Sequence, residues 1–229
     1  MKGLRNDAYW KLARFCALDV ETTGLNLLND EIISIGAVQI IEGRIVQSFD
    51  FYREVKPGIP PSVESIQIHG LRAVDLEGAT TVSAAISDLL PLLQDRVLIA
   101  HAAWVEKAFL TPHLSEVGTA FPKKVIDTAA LARACGYGDQ LFSHELSLEY
   151  LARQLNLPAY APHHALGDAL TTAVVFLALA SELERKIFVD SEKEMTLSRL
   201  LKISSNHSHL KALHPFPGRR MGVIGRKVT

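Results

Sequence analysis

Apolar positions along this chain follow two rhythms, and these divide it into strands and helices. An apolar run over 15–18, Phe-Cys-Ala-Leu, leads into Asp19 and Glu21, and the chain then turns at Gly24. Residues 31–41 are rich in β-branched side chains and stop at Glu42-Gly43. That pairing signals a hairpin into a second strand-like run over 44–55. Proline and glycine over 57–61 break the pattern, and a short helix is expected over 62–69. Helical spacing over 81–93 places Val82, Ile86, Leu89, Leu90 and Leu93 on one side. A buried strand over 96–100 leads into a helix over 102–117, and a brief strand at 125–126 opens onto Asp127. Further helices are expected over 129–134, 147–155, 167–186 and 195–203, and residues 1–14 read as a short helix or arm. Three adjacent strands followed by strands separated by helices predict an α/β fold. The sheet is mixed and five-stranded, with helices on both faces.

Composition narrows the class. At 229 residues, 48% hydrophobic and 21% charged, the chain fits one large domain, or one domain with an extension. Cys16 and Cys135 are far apart and form no CxxC pattern, which speaks against a disulfide framework or a zinc site and for a reducing cytoplasm. The first residues lack a signal-peptide core, and the longest apolar run, 173–180, is too short to cross a bilayer. A net charge of −1 hides an asymmetry: eight Lys/Arg against two Glu over 191–229 give that end +6, and the preceding 190 residues carry −7. The division expected is therefore a catalytic domain over 1–190 and a basic extension over 191–229, suited to a polyanion or a partner.

The chemistry begins with Asp19 and Glu21. Strand side chains alternate, so acids two apart leave the same face and repel each other unless a proton or cation intervenes. Two more acids sit at element ends. Glu106 lies in the helix after the 96–100 strand, and Asp168 lies in the first turn of a very apolar helix. The alternatives are an exposed helix glutamate for Glu106 and a simple dipole-favoured acid for Asp168. Asp127 reads as a helix cap rather than a ligand. Together, four acids at the ends of one sheet suit two-metal phosphodiester hydrolysis, in which cations about 3.5–4 Å apart stabilise the attacking and leaving oxygens. An all-oxygen donor set selects Mg²⁺ or Mn²⁺ over zinc. His163 precedes the helix, free to serve as general base.

These segments, over about 15–184, resemble the DEDDh 3′–5′ exonucleases, the group that includes bacterial polymerase III proofreading subunits and ribonuclease T. Ala-Leu-Asp-Val-Glu-Thr-Thr-Gly-Leu at 17–25 is similar to the first motif, His101-Ala-Ala-Trp-Val-Glu106 to the second, usually HNAxFD, and His163-His-Ala-Leu-Gly-Asp168 to the third. The resemblance implies a ribonuclease H-like fold and metal ligands Asp19, Glu21, Glu106 and Asp168, with His163 rather than His164 as base. It also implies a terminal-nucleotide pocket lined by Thr22, Thr23, Gly24 and Leu25, with His69 in a recurring Ile-His-Gly-Leu segment. Leu25 reads equally as a wedge against the terminal base and as an ordinary core leucine. Two departures stand in the second motif: Ala102 replaces the usual asparagine, and Glu106 replaces an aspartate, extending the side chain by roughly 1.5 Å. The function implied is release of nucleoside 5′-monophosphates from the 3′ end of single-stranded DNA, with RNA also admitted. The rival is a catalytically weakened nucleic-acid-binding subunit of a replication or repair assembly, docked through the basic tail.

Overall fold

The computed structural model describes residues 8–138, 146–188 and 194–208, with the side chains of 47–49 left out; the expectations for 1–7 and 209–229 lie outside the described residues. Five strands and seven α-helices are present among the described residues. Two antiparallel connections join β1 (Arg14–Thr22) to β2 (Ile32–Ile41) and β2 to β3 (Arg44–Glu54). Glu42 and Gly43 turn between β2 and β3 with φ of 51° and 69°, the left-handed pair that a tight two-residue hairpin needs. Helix α1 (Val63–His69) starts where Ser62 Oγ accepts from the Ser65 N–H, and α2 (Val82–Leu93) where Thr81 Oγ1 accepts from the Ala84 N–H. Then come β4 (Val97–Ala100), α3 (Trp104–Glu116), β5 (Val125–Asp127), α4 (Thr128–Cys135), α5 (Leu148–Gln154), α6 (Ala165–Ile187) and α7 (Leu197–His207).

The sheet order is β3-β2-β1-β4-β5. β1 pairs antiparallel with β2 and parallel with β4, and β4 runs parallel to β5, so the expected mixed sheet forms. β1 sits at its centre and is covered on both faces, which explains its near-continuous apolar run. Phe15 and Ala17, with Val38, Ile40, Ile99 and Ile126, belong to the core under α6, α4 and α7. Cys16, Leu18 and Val20, with Ile35 and Leu98, face Ile86 and Leu89 of α2 and Phe109, Leu110 and Leu114 of α3. Each such fully buried side chain contributes about 1.5–3 kcal/mol. By length and composition α6 could cross a membrane, but 56% of its apolar window is buried inside the protein. Here it is the helix around which one core packs.

The extension expected from 191 does not stand apart over its described part. Met195, Leu197 and Leu200 are fully buried in the same core as Trp10. The Trp10 N–H donates to the Met195 carbonyl and the Leu197 N–H to the Ala8 carbonyl, both at 3.0 Å. Glu184 of α6 collects the Tyr9 hydroxyl and Trp10 Nε1–H at 3.3 Å and the Met195 N–H at 3.1 Å. One carboxylate thus ties the segments ahead of β1 and ahead of α7 to the core helix. α7 also covers the β5 edge, its Ser204 Oγ accepting the Asp127 N–H at 2.9 Å. Charge alone marked 191–229 as a tail; its buried apolar positions make its first part structural.

Truncation after residue 190 should therefore lower the melting temperature by more than about 10 °C, because three buried side chains are lost together. Differential scanning calorimetry checks this, and an unchanged melting temperature would contradict the packing described.

Candidate active site

Asp19 lies opposite Gly36, and Glu21 opposite Ser34, so the two acids leave β1 on the face that carries α6. Gly36 interrupts a β-branched run, and a glycine inside a strand often marks a close backbone approach. A Cβ at Gly36 would overlap the carbonyl of Ala165, and one at Gly167 would overlap the carbonyls of Tyr160 and Ala161. The first turn of α6 therefore rests on bare β2 backbone, with the 160–161 segment folded over it. This seating carries Asp168 to the strand acids. Carboxylate oxygens of Asp19, Glu21 and Asp168 all lie within 4.8 Å of one another, a set that could hold a metal ion.

The same seating separates two adjacent histidines. The His164 ring stacks on Tyr52, with centroids 4.4 Å apart and planes 24° from parallel; Tyr52 is itself opposite Gly36. His163 takes a left-handed φ of 61°, and its N–H donates to Asp168 Oδ2 at 2.9 Å. Its side chain stays half exposed, with Nε2 3.5 Å from Glu149 Oε1. Glu149, on α5, belongs to no motif and was missed by sequence reasoning.

Glu106 is 2% exposed in the first turn of α3, so the exposed-glutamate alternative does not hold. It stands beside the trio rather than within the 4.8 Å set, because α3 packs on the sheet face opposite α6. Its Oε2 is buried with no hydrogen-bond partner among the described residues. Asp127 caps α4 as expected, Oδ1 accepting the Ala129 N–H at 2.9 Å. The same oxygen accepts the Ala102 N–H at 3.1 Å. Ala102 has a left-handed φ of 55°, where asparagine is far more at ease than alanine. The departure from the usual motif is thus a local strain, held by Asp127. His101 is spent on structure, its Nδ1 2.9 Å from Thr128 Oγ1 and its Nε2 2.6 Å from the Leu146 carbonyl.

The expected pocket wall divides into fixed and free groups. Thr22 Oγ1 donates to the Gly24 carbonyl, and Thr23 Oγ1 donates to Asp30 Oδ1 at 2.8 Å. Both hydroxyls therefore shape the loop. α1 docks on it, Ser62 N–H and Ser65 Oγ–H donating to the Thr23 and Thr22 carbonyls. Leu25 is 57% exposed and is not a core leucine. His69 Nδ1 accepts the Leu71 N–H at 3.0 Å, and its Nε2 is buried against the Thr22 backbone.

Electrostatics make the cluster proton-hungry. Burial, then the charges of Glu106, Glu21 and Asp168, push the Asp19 carboxyl well above its ordinary range. Burial, then Asp168, moves Glu21 up to about 7. Burial moves Asp168 up to about 6, against the opposing His163 N–H bond. Burial dominates at Glu106 too, which is raised well above the ordinary glutamate. A cation among these oxygens would displace protons.

The sheet order is that of the ribonuclease H-like fold. Residues 16–176 match the model of the exonuclease family RNase_T, and the chain belongs to that family. It is 34% identical over 215 residues to a DNA polymerase III PolC-type protein of Thermotoga maritima, covering 93% of this chain and 15% of that one. A DNA polymerase III subunit epsilon-like protein of Rhodobacter capsulatus is 32% identical over 178 residues, covering 75% of this chain and 24% of its own length. The chain thus spans less than a quarter of the length of these relatives. E. coli Exonuclease I in complex with a dT13 oligonucleotide superposes with a TM-score of 0.66 at 14% identity, over 76% of this chain and 42% of that one. A 3′-exonuclease solved in recognition of a histone mRNA stem-loop superposes at 0.64 and 18% identity, over 77% of this chain and 84% of that one. These two show the shared fold.

Two outcomes follow from the site. Gly36→Ala should unseat α6, costing about 1–3 kcal/mol of stability by overpacking and weakening Mn²⁺ binding measured by calorimetry; retained affinity would place the acids independently of that contact. The second concerns pH. Glu21 and Asp168 keep protons in the folded state that the unfolded chain has already released, so the folded metal-free protein loses stability as pH rises through about 4 to 7. Its melting temperature should fall from pH 5 to pH 8, and Mg²⁺ or Mn²⁺ should restore more of it at pH 8 than at pH 5. A metal effect equal at both values would rule out proton–cation exchange at this cluster.

Proposed function

We propose that the chain is a metal-dependent 3′–5′ exonuclease that hydrolyses single-stranded nucleic acid, DNA in preference to RNA, and releases nucleoside 5′-monophosphates. The observation that carries this reading is the convergence of Asp19, Glu21 and Asp168 within 4.8 Å, with His163 tied to Asp168. The donors fit magnesium or manganese: the trio is all carboxylate oxygen, with no thiolate or imidazole in it. The buried, unpartnered Oε2 of Glu106 is a further oxygen at its border. Asp19, Glu21 and Asp168 would hold a first divalent cation, and Glu106 would serve a second. Bound there, two such cations supply positive charge to the attacking and leaving oxygens of the phosphodiester.

The chain's own groups do the rest. The His163 imidazole accepts the proton from the attacking water while that oxygen bonds to phosphorus. The phosphorus–O3′ bond then breaks, leaving the phosphate on the released nucleoside. The loop from Thr22 to Leu25 forms the wall for the terminal nucleotide, its backbone brought close at Gly24 and its exposed leucine turned toward the base. His69, set against the Thr22 backbone, stands behind this wall. The dT13-bound neighbour supports a single-stranded DNA substrate, and the stem-loop-binding neighbour keeps RNA within reach. The relatives' names support a polymerase partner in replication, and free, buried Cys16 and Cys135 suit a reducing cytoplasm. The exonuclease domain is best closed after α7 rather than at 190, since α7 packs in its core. A second reading, a weakened nucleic-acid-binding subunit, is favoured by Glu106 standing outside the trio.

Digestion of matched 5′-labelled DNA and RNA oligonucleotides, single- and double-stranded, with Mg²⁺ or Mn²⁺, decides between them. Stepwise shortening of single strands is expected, and intact substrates that are nonetheless bound would select the second reading. Asp19→Ala should abolish shortening, and His163→Ala should lower the rate by about 10²–10⁴-fold with cation binding retained. Activity surviving Asp19→Ala would remove the site from consideration.

A further inference from the structure

Glu149 lies at the start of α5, one residue after Leu148, where Ser147 caps the helix by accepting the Tyr150 N–H at 3.2 Å. From there its Oε1 reaches to 3.5 Å from His163 Nε2. Its charge is felt by both Asp19 and Asp168, so the carboxylate stands at the rim of the acid cluster without belonging to the trio. Three elements converge on His163. α6 supplies Asp168, which fixes the His163 main chain through its N–H. α1 supplies His69, whose ionisation senses His163. α5 supplies Glu149.

The main-chain bond sets where the His163 Cα stands but leaves both side-chain torsions free. The left-handed backbone at His163 is a conformation that costs a non-glycine residue energy and is kept where the surroundings impose it. Its imidazole is half exposed, so packing alone does not orient it. Histidine bases are commonly aimed by a carboxylate on the ring nitrogen that does not react, which also strengthens the other nitrogen as an acceptor. A separation of 3.5 Å is longer than a tight hydrogen bond, as catalytic contacts often are before substrate closes them.

We propose that Glu149 is a positioning residue for His163: it accepts the Nε2–H and aims the ring, leaving Nδ1 to receive the proton of the attacking water. This rests on the exonuclease reading above and adds to it a residue outside all three motifs. The competing role is an ordinary ion pair at the surface, of little consequence to rate.

A double-mutant cycle separates the two, using the full chain, single-stranded 5′-labelled DNA and Mn²⁺. Glu149→Gln should lower kcat by about 10- to 100-fold in the wild-type background and by less than twofold when combined with His163→Ala, with Mn²⁺ affinity by calorimetry unchanged. An undiminished kcat overturns the proposal. So does an equal loss in both backgrounds, or a loss matched by weaker Mn²⁺ binding, since Glu149 would then act on the scaffold or the cation site. If the wild-type protein shortens no oligonucleotide, the exonuclease reading falls on its own. The positioning is then judged by ¹³C relaxation of the His163 ring: a rigid ring that becomes mobile in Glu149→Ala supports it, and equal mobility in both proteins overturns it.

Discussion

The seating of α6 on the bare backbone of Gly36 is the contact on which the rest of the site depends. Gly36 lies between Asp19 and Tyr52 across three neighbouring strands, and the absence of a side chain lets the Ala165 carbonyl drop against it. One close approach thereby does three things. It brings Asp168 to the strand acids, stacks His164 on Tyr52, and leaves His163 at the rim. The apolar face of α6, with Ala173, Phe176 and Leu179 fully buried, provides the burial energy that holds mutually repelling carboxylates together.

That arrangement is costly without a cation. Buried carboxylates retain protons instead of charge, and a cation held among them would displace those protons. Strain accumulates in the same region: Ala102 and His163 both adopt left-handed backbone without being glycine. Each is held by a carboxylate accepting its N–H, Asp127 for Ala102 and Asp168 for His163. At both positions the surrounding structure maintains a backbone that costs a non-glycine residue energy.

The far end of the described chain is part of this support. Ser204 of α7 accepts the Asp127 N–H, and Asp127 in turn holds Ala102 at the entry to the helix that carries Glu106. A chain of hydrogen bonds thus runs from a segment with no catalytic motif to the entry of the helix that carries the one acid departing from the usual type. The positive charge of 191–229 drew the reading toward a separable tail. Leu197 and Leu200, three apart at the start of α7, with apolar Met195 just before its cap, were the quieter signal that the segment packs.

Much of the fold was legible because local rules govern it. Alternation along β1 puts Asp19 and Glu21 on one face whatever surrounds them. Glu42-Gly43 specifies its hairpin through backbone torsions, and Ser62, Thr81 and Asp127 cap helices through bonds to residues two or three positions away. The motif order likewise indicated a family whose sheet this chain shares. What local pattern could not supply was distance between elements. Whether Glu106 joins the trio or stands beside it, and that Glu149 reaches His163, depend on how helices on opposite faces seat against the sheet; the choice of His163 over His164 was already implied by the third motif. Gly36 permits the seating of α6 by what it lacks, and a missing side chain acquires meaning only when the atoms that fill its place are known.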